Sequence, residues 1–81
     1  METISENTTM KFYIEPGEND WVLKKEDGHF DIKKSRDKDV LILFARDFCK
    51  SMLADLIIFN EKWEIEESIL FSRPEIYSIK F

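Results

Sequence analysis

The sequence predicts a small α+β domain: an antiparallel sheet of four to five strands with one helix packed on one face, in the order ββ(β)αββ(β). Three observations point there. Two alternating apolar segments flank a Pro-Gly turn near the start, a stretch with helical apolar spacing fills the middle, and a second pair of extended segments follows. With 81 residues, 43% of them hydrophobic, and only two Gly and two Pro, the chain has the length of one domain and the composition of one that folds.

Residues 1–9 are polar, lack periodicity and read as a flexible leader, so the single domain is expected over residues 10–81. Phe12 and Ile14 alternate with Lys11 and Tyr13, and Glu15-Pro16-Gly17-Glu18-Asn19-Asp20 supplies a turn. The return strand is Trp21 to Lys25, with Trp21 and Leu23 on one face and Val22 and Lys24 on the other; Asp27-Gly28 suits a tight turn into a short third strand, His29 to Lys33. Ser35, Asp37 and Asp39 offer N-caps for a helix running to about Met52. At 100° per residue, Val40, Leu41, Phe44, Ala45, Phe48 and Met52 share about 140° of arc, which makes them the expected core-facing stripe. The apolar run Val40 to Phe44 alone also suits a buried strand; the helical spacing continuing from Ala45 to Met52 decides for the helix.

Leu56 to Phe59 is β-favouring, and Asn60-Glu61-Lys62 fits a hairpin loop before the next strand. There Trp63, Ile65, Glu67, Ile69 and Phe71 alternate with Glu64, Glu66, Ser68 and Leu70. Glu67 interrupts the apolar row, which marks a bulge, an edge position, or a strand wet on both faces. After Pro74, the alternation of Tyr77, Ile79 and Phe81 suits a last edge strand.

Phe12-Tyr13-Ile14-Glu15-Pro16 followed by Trp21-Val22-Leu23-Lys24-Lys25-Glu26 resembles a family of small bacterial domains of unknown function. Its members carry a Trp-x-Val-Lys-x-Glu-like strand, a capped helix with an Ala-Arg pair, a Leu-Val-Val strand and an Ile-x-Glu-Glu-like ending. Ser35, Ala45-Arg46, Leu56-Ile57-Ile58 and Ile65-Glu66-Glu67 match those features, over about residues 11–71. The helix start, Ser35 to Asp39, is a residue longer here, and Phe59-Asn60 and Lys62-Trp63 replace the family's His-Gly and Asp-Gly pairs. The resemblance implies the ββαββ order and no activity; a bacterial or phage chain is expected.

Twelve basic and seventeen acidic residues give a net charge of −5, a field that repels phosphate backbones. The distribution is uneven. Residues 21–39 hold six bases (Lys24, Lys25, Lys33, Lys34, Arg36, Lys38) against five acids, and read as a mixed solvated face more readily than as a phosphate-binding arm. Nucleic-acid binding is therefore not expected, and Trp21, Trp63, Tyr13 and Tyr77, lacking interleaved Arg and Lys, read as packing rather than base-stacking residues. The longest apolar run, Val40 to Ala45, is too short to cross a bilayer, and a lone cysteine, Cys49, fits a reducing compartment, so a cytoplasmic location is expected.

An enzyme needs a nucleophile with a base, paired carboxylates, or converging metal ligands. The single histidine, His29, sits beside a turn, and Cys49 reads as a small apolar residue. Glu64 and Glu66 fall on one strand face, where solvated carboxylates are more ordinary than a cation site. No catalytic, cofactor-binding or metal-binding residue is assigned, and no small-molecule substrate is evident. A second helix stripe asks for a different explanation. Ile42, Cys49 and Leu53, with Arg46 beside them and Leu43 further round, lie away from the expected core face. The expectation is a non-enzymatic interaction module that binds a protein, or a second copy of itself, through Ile42, Leu43, Arg46, Cys49 and Leu53 or through the C-terminal edge strand. The competing explanation of the stripe is internal cover by Tyr77, Ile79 and Phe81. The alternative function is an acidic inhibitor that presents Glu15, Glu18, Asp20, Glu64 and Glu66 to a host nucleic-acid-handling protein in place of phosphates.

Overall fold

The computed structural model describes residues 10–28, 30–72 and 77–81, so the leader and His29 lie outside the described residues. The described residues form an α+β domain with one helix on one face of a six-stranded sheet. The elements are β1 (Lys11–Pro16), β2 (Trp21–Lys25), β3 (Lys33–Ser35), α1 (Lys38–Met52), β4 (Asp55–Phe59), β5 (Ile65–Leu70) and β6 (Tyr77–Lys80). Among the described residues no helix is long and apolar enough to cross a membrane.

The sheet order is β3-β2-β1-β4-β5-β6: two antiparallel meanders laid side by side, joined through α1. The expectation of a purely antiparallel sheet of four to five strands is corrected at the seam, where β1 and β4 run parallel in the register Phe12↔Leu56 and Ile14↔Ile58. The reason is the crossover. The helix leaves from β3 at one edge and carries the chain back over the sheet to the free side of β1, and a crossover of this kind returns a strand parallel to its neighbour. The third strand is also displaced, forming at Lys33–Ser35 rather than over residues 29–33, opposite Trp21 to Leu23.

Asp37 caps the helix, its carboxylate accepting from the backbone N–H groups of Asp39 (3.0 Å) and Val40 (3.4 Å). Leu53 ends it in the left-handed conformation (φ 53°), donating its N–H to Cys49 and Lys50 carbonyls. Between those caps Leu41, Ala45 and Cys49 are buried and face the sheet, meeting Phe12, Ile14, Leu23, Leu56, Ile58 and Ile69 in one cluster. The two small side chains let the helix axis approach the sheet closely. Glu67 does mark an irregularity: the β4–β5 register slips between Ile58 and Phe59, so that Ile58 faces Glu67 while Phe59 faces Ile65. Beyond the slip, Ile69 and Phe71 enter the core as the alternation predicts.

Candidate functional site

The helix sits about 70° further round its axis than the apolar spacing suggests, taking 100° per residue. Cys49 and Ile42, expected on an outward stripe, belong to the sheet-facing side: Cys49 is fully buried, and Ile42 is half-buried against the core. Cys49 is thereby closed to any partner, and Ile42 is not part of an outward stripe. Val40 and Phe44, expected inside, are exposed instead. Phe44 lies along the helix rim, stacked on Phe48 at 5.9 Å and under the Lys33 ammonium at 4.9 Å, while Phe48 turns its edge to Phe12 at 5.2 Å. A rim of stacked rings hides enough apolar surface for the small Ala45 and Cys49 to take the central positions. Leu43, Arg46 and Leu53 are exposed as expected, with Lys50 between the last two. This outer strip is two leucines interrupted by two cations.

Burial also settles the thiol. Desolvation, with a smaller push from the Asp55 charge, drives Cys49 up to about 12, so it stays protonated and unreactive at neutral pH. Among the described residues no three His, Cys, Asp or Glu side chains gather in an arrangement that could hold a metal ion.

Among the described residues the opposite face of the sheet carries no helix. Alternation along the strands places Tyr13 and Glu15 of β1, Val22 and Lys24 of β2, Ile57 and Phe59 of β4, Ser68 and Leu70 of β5, and Ile79 of β6 on that face. Its centre is apolar and aromatic. Ile57 and Val22 are buried there, Tyr13 and Phe59 sit 5.9 Å apart, and Trp63 leans against Phe59 at 5.8 Å with the rings inclined by 49°. Tyr13 donates its hydroxyl to Glu26, and burial together with that carboxylate raises its pKa. Sheets with one bare face ordinarily make that face polar.

Trp63 is held outward by the β4–β5 loop. The Asn60 side-chain oxygen accepts from the backbone N–H of Lys62 (2.8 Å) and Glu64 (3.0 Å), its amide donates to Glu64 (3.0 Å), and its backbone N–H bonds the Glu64 carbonyl (2.8 Å). These bonds leave Trp63 with φ 62°, a left-handed conformation that a bulky side chain rarely adopts, and with 56% of its surface exposed. Asn-x-x-Trp in a hairpin loop was the available signal; alternation read Trp63 as an inward strand residue and missed it.

The acidic residues divide between the β1–β2 end, where Glu15, Glu18 and Asp20 line one cleft, and Glu64 and Glu66 outside it. Glu15 lies 3.8 Å from Lys24, which also approaches Asp31, and Asp31 pairs with Lys34 at 3.3 Å. Glu18 and Asp20 occupy the β1–β2 turn, beside a cleft of about 380 Å³ that also takes in Lys24, Lys34 and Trp63. Glu66 is turned to Lys38, whose ammonium rests over the Trp21 ring at 4.2 Å, and Glu64 is tied to Asn60. Glu64 and Glu66 thus do not form the side-by-side pair that strict alternation predicts. No family model, curated protein or solved structure matches the chain.

Proposed function

We propose that the chain is a non-enzymatic protein-interaction module whose contact surface is the helix-free face of the sheet, with Trp63 as its anchor. The observation that carries this reading is the backbone of Trp63. A left-handed conformation costs a bulky residue roughly 1–3 kcal/mol that Gly or Asn would avoid, and here the ring so placed is more than half exposed. Part of the ring leans on Phe59, which is ordinary rim packing, but rim packing alone does not require a strained residue. A rigid, outward aromatic beside Tyr13, Phe59 and Ile57 has the make-up of an interface centre, where Trp and Tyr dominate binding energy. The acidic-inhibitor reading draws less support, since Glu15 and Glu66 are engaged by lysines, and the cleft that Glu15, Glu18 and Asp20 line also holds Lys24 and Lys34 and takes in neither Glu64 nor Glu66.

Affinity capture from the native cell extract tests the reading with three baits: wild type, Trp63→Asn and Leu43→Asp. Asn keeps the left-handed backbone while removing the ring. Proteins held by wild type and by Leu43→Asp, but reduced about tenfold or more on Trp63→Asn, agree with it. Capture indifferent to Trp63→Asn, or abolished by Leu43→Asp, overturns it. Binding that collapses between low and moderate salt would favour the acidic inhibitor.

A further inference from the structure

Among the described residues the sheet ends at β3 on one side and β6 on the other, and the two edges differ in what they can meet. The β3 edge has three residues, and its chemistry is basic, with Lys33 and Lys34 in the strand and Arg36 just after it. A copy of β3 laid antiparallel on itself would set lysine against lysine. The β6 edge is different. Phe81 donates its N–H to the Glu66 carbonyl at 2.9 Å, and the register pairs Ile79 with Ser68 and Tyr77 with Leu70. In an antiparallel ladder that alternation turns the backbone groups of residues 77, 79 and 81 inward to β5 and those of Ser78 and Lys80 outward. Residues 78–81 are all exposed, Ile79 at 47%.

We propose that β6 pairs antiparallel with β6 of a second copy of the chain, about a two-fold axis through Ile79, joining two six-stranded sheets into one of twelve. The N–H and C=O of Ser78 then exchange hydrogen bonds with Lys80 of the partner subunit, and the axis repeats the exchange, giving four backbone bonds. Ile79 meets its own equivalent at a site between hydrogen-bonded pairs, where Cα atoms approach to about 4.5 Å and side chains touch. The charges agree. Lys80 falls opposite the partner's Ser78, whose hydroxyl donates to Glu67, so each ammonium faces a carboxylate-bound hydroxyl and no lysine faces another. A second chain of other sequence could supply the backbone bonds, but the self-match of Ser78, Ile79 and Lys80 about one axis selects a copy. The pairing is independent of the sheet-face reading, because edge-to-edge joining leaves the helix-free faces as they are and merely continuous.

The contact is small, so association in the micromolar to sub-millimolar range is expected. Sedimentation of the full chain from about 5 to 500 µM should show the mass rising from 9.7 kDa toward twice that value. Ile79→Lys and Ile79→Glu should each remain monomeric across that range, since like charges then meet on the axis, and their equimolar mixture should associate at least about tenfold more tightly than either alone. If a charge variant loses its circular dichroism spectrum, Ser78→Pro replaces it: it removes an outward N–H while leaving the β5 ladder intact, and should weaken association about tenfold. A wild-type monomer at 500 µM, a dimer that survives both charge variants, or a mixture that fails to associate overturns the proposal. Trp63→Asn should leave the dimer unchanged, which keeps this outcome separate from that of the capture experiment.

Discussion

Two leucines on the same helix should respond oppositely to truncation. Leu41 is fully buried among Leu23, Ala45, Ile58 and the rest of the core, whereas Leu43 is 69% exposed. For Leu41→Ala the lost transfer energy and the residual cavity together cost about 2–5 kcal/mol, out of a total stability of roughly 4–12 kcal/mol for a domain of this length. Taking 3 kcal/mol, and about 4–8 °C per kcal/mol for domains of 60–100 residues, Tm should fall by roughly 12–24 °C. Leu43→Ala should change stability by no more than about 0.5 kcal/mol. Urea and thermal unfolding followed by circular dichroism measure both. If Leu43→Ala costs as much as Leu41→Ala, or if Leu41→Ala costs less than about 1 kcal/mol, the helix does not sit on the sheet as described.

Three further outcomes follow from the same geometry. The Cys49 thiol is raised when folded and ordinary when unfolded, so its contribution to stability is complete below about pH 8.5–9. It is lost as pH climbs toward 12, by up to about 1.4 kcal/mol per unit, and Cys49→Ala should flatten that decline in alkaline unfolding curves. Asp37→Ala removes the helix cap and should lower stability by about 1 kcal/mol in urea titrations, with Asp37→Asn restoring most of it. Leu53→Gly relieves a left-handed leucine whose side chain is exposed; stability should rise by roughly 0.5–1 kcal/mol, and a loss would mean that Leu53 packs where it is described as open.

Much of the architecture was legible in the sequence because it is local. Pro16-Gly17, the alternation of Phe12, Ile14, Trp21 and Leu23, the Asp37 cap and the last edge strand each depend on neighbours within a few residues, and each stands where that chemistry puts it. The parallel seam was not legible, because the pairing of β1 with β4 depends on where a crossover lands, which no short-range signal encodes. The helix orientation misled for a related reason. Phe44 and Val40 outweigh Ala45 and Cys49 on any hydrophobic count, yet close approach to a sheet favours the small residues, and free cysteine is among the most buried residue types. The internal-cover alternative also falls to topology: β6 extends the sheet beyond β5, and α1 lies over strands β1 to β4. Trp63 was misassigned because the slip at Phe59 and the Asn60 bonds remove it from the strand, and alternation assumes an unbroken strand.

Site-specific photocrosslinking distinguishes the sheet face from the helix as the contact surface. A benzophenone side chain replaces Trp63 in one version of the chain and Leu43 in another, and both are expressed in the native cell and irradiated. Position 63 should give discrete crosslinked products to another protein, and position 43 none of comparable yield. Products from the helix position, with position 63 silent, would contradict the sheet-face reading.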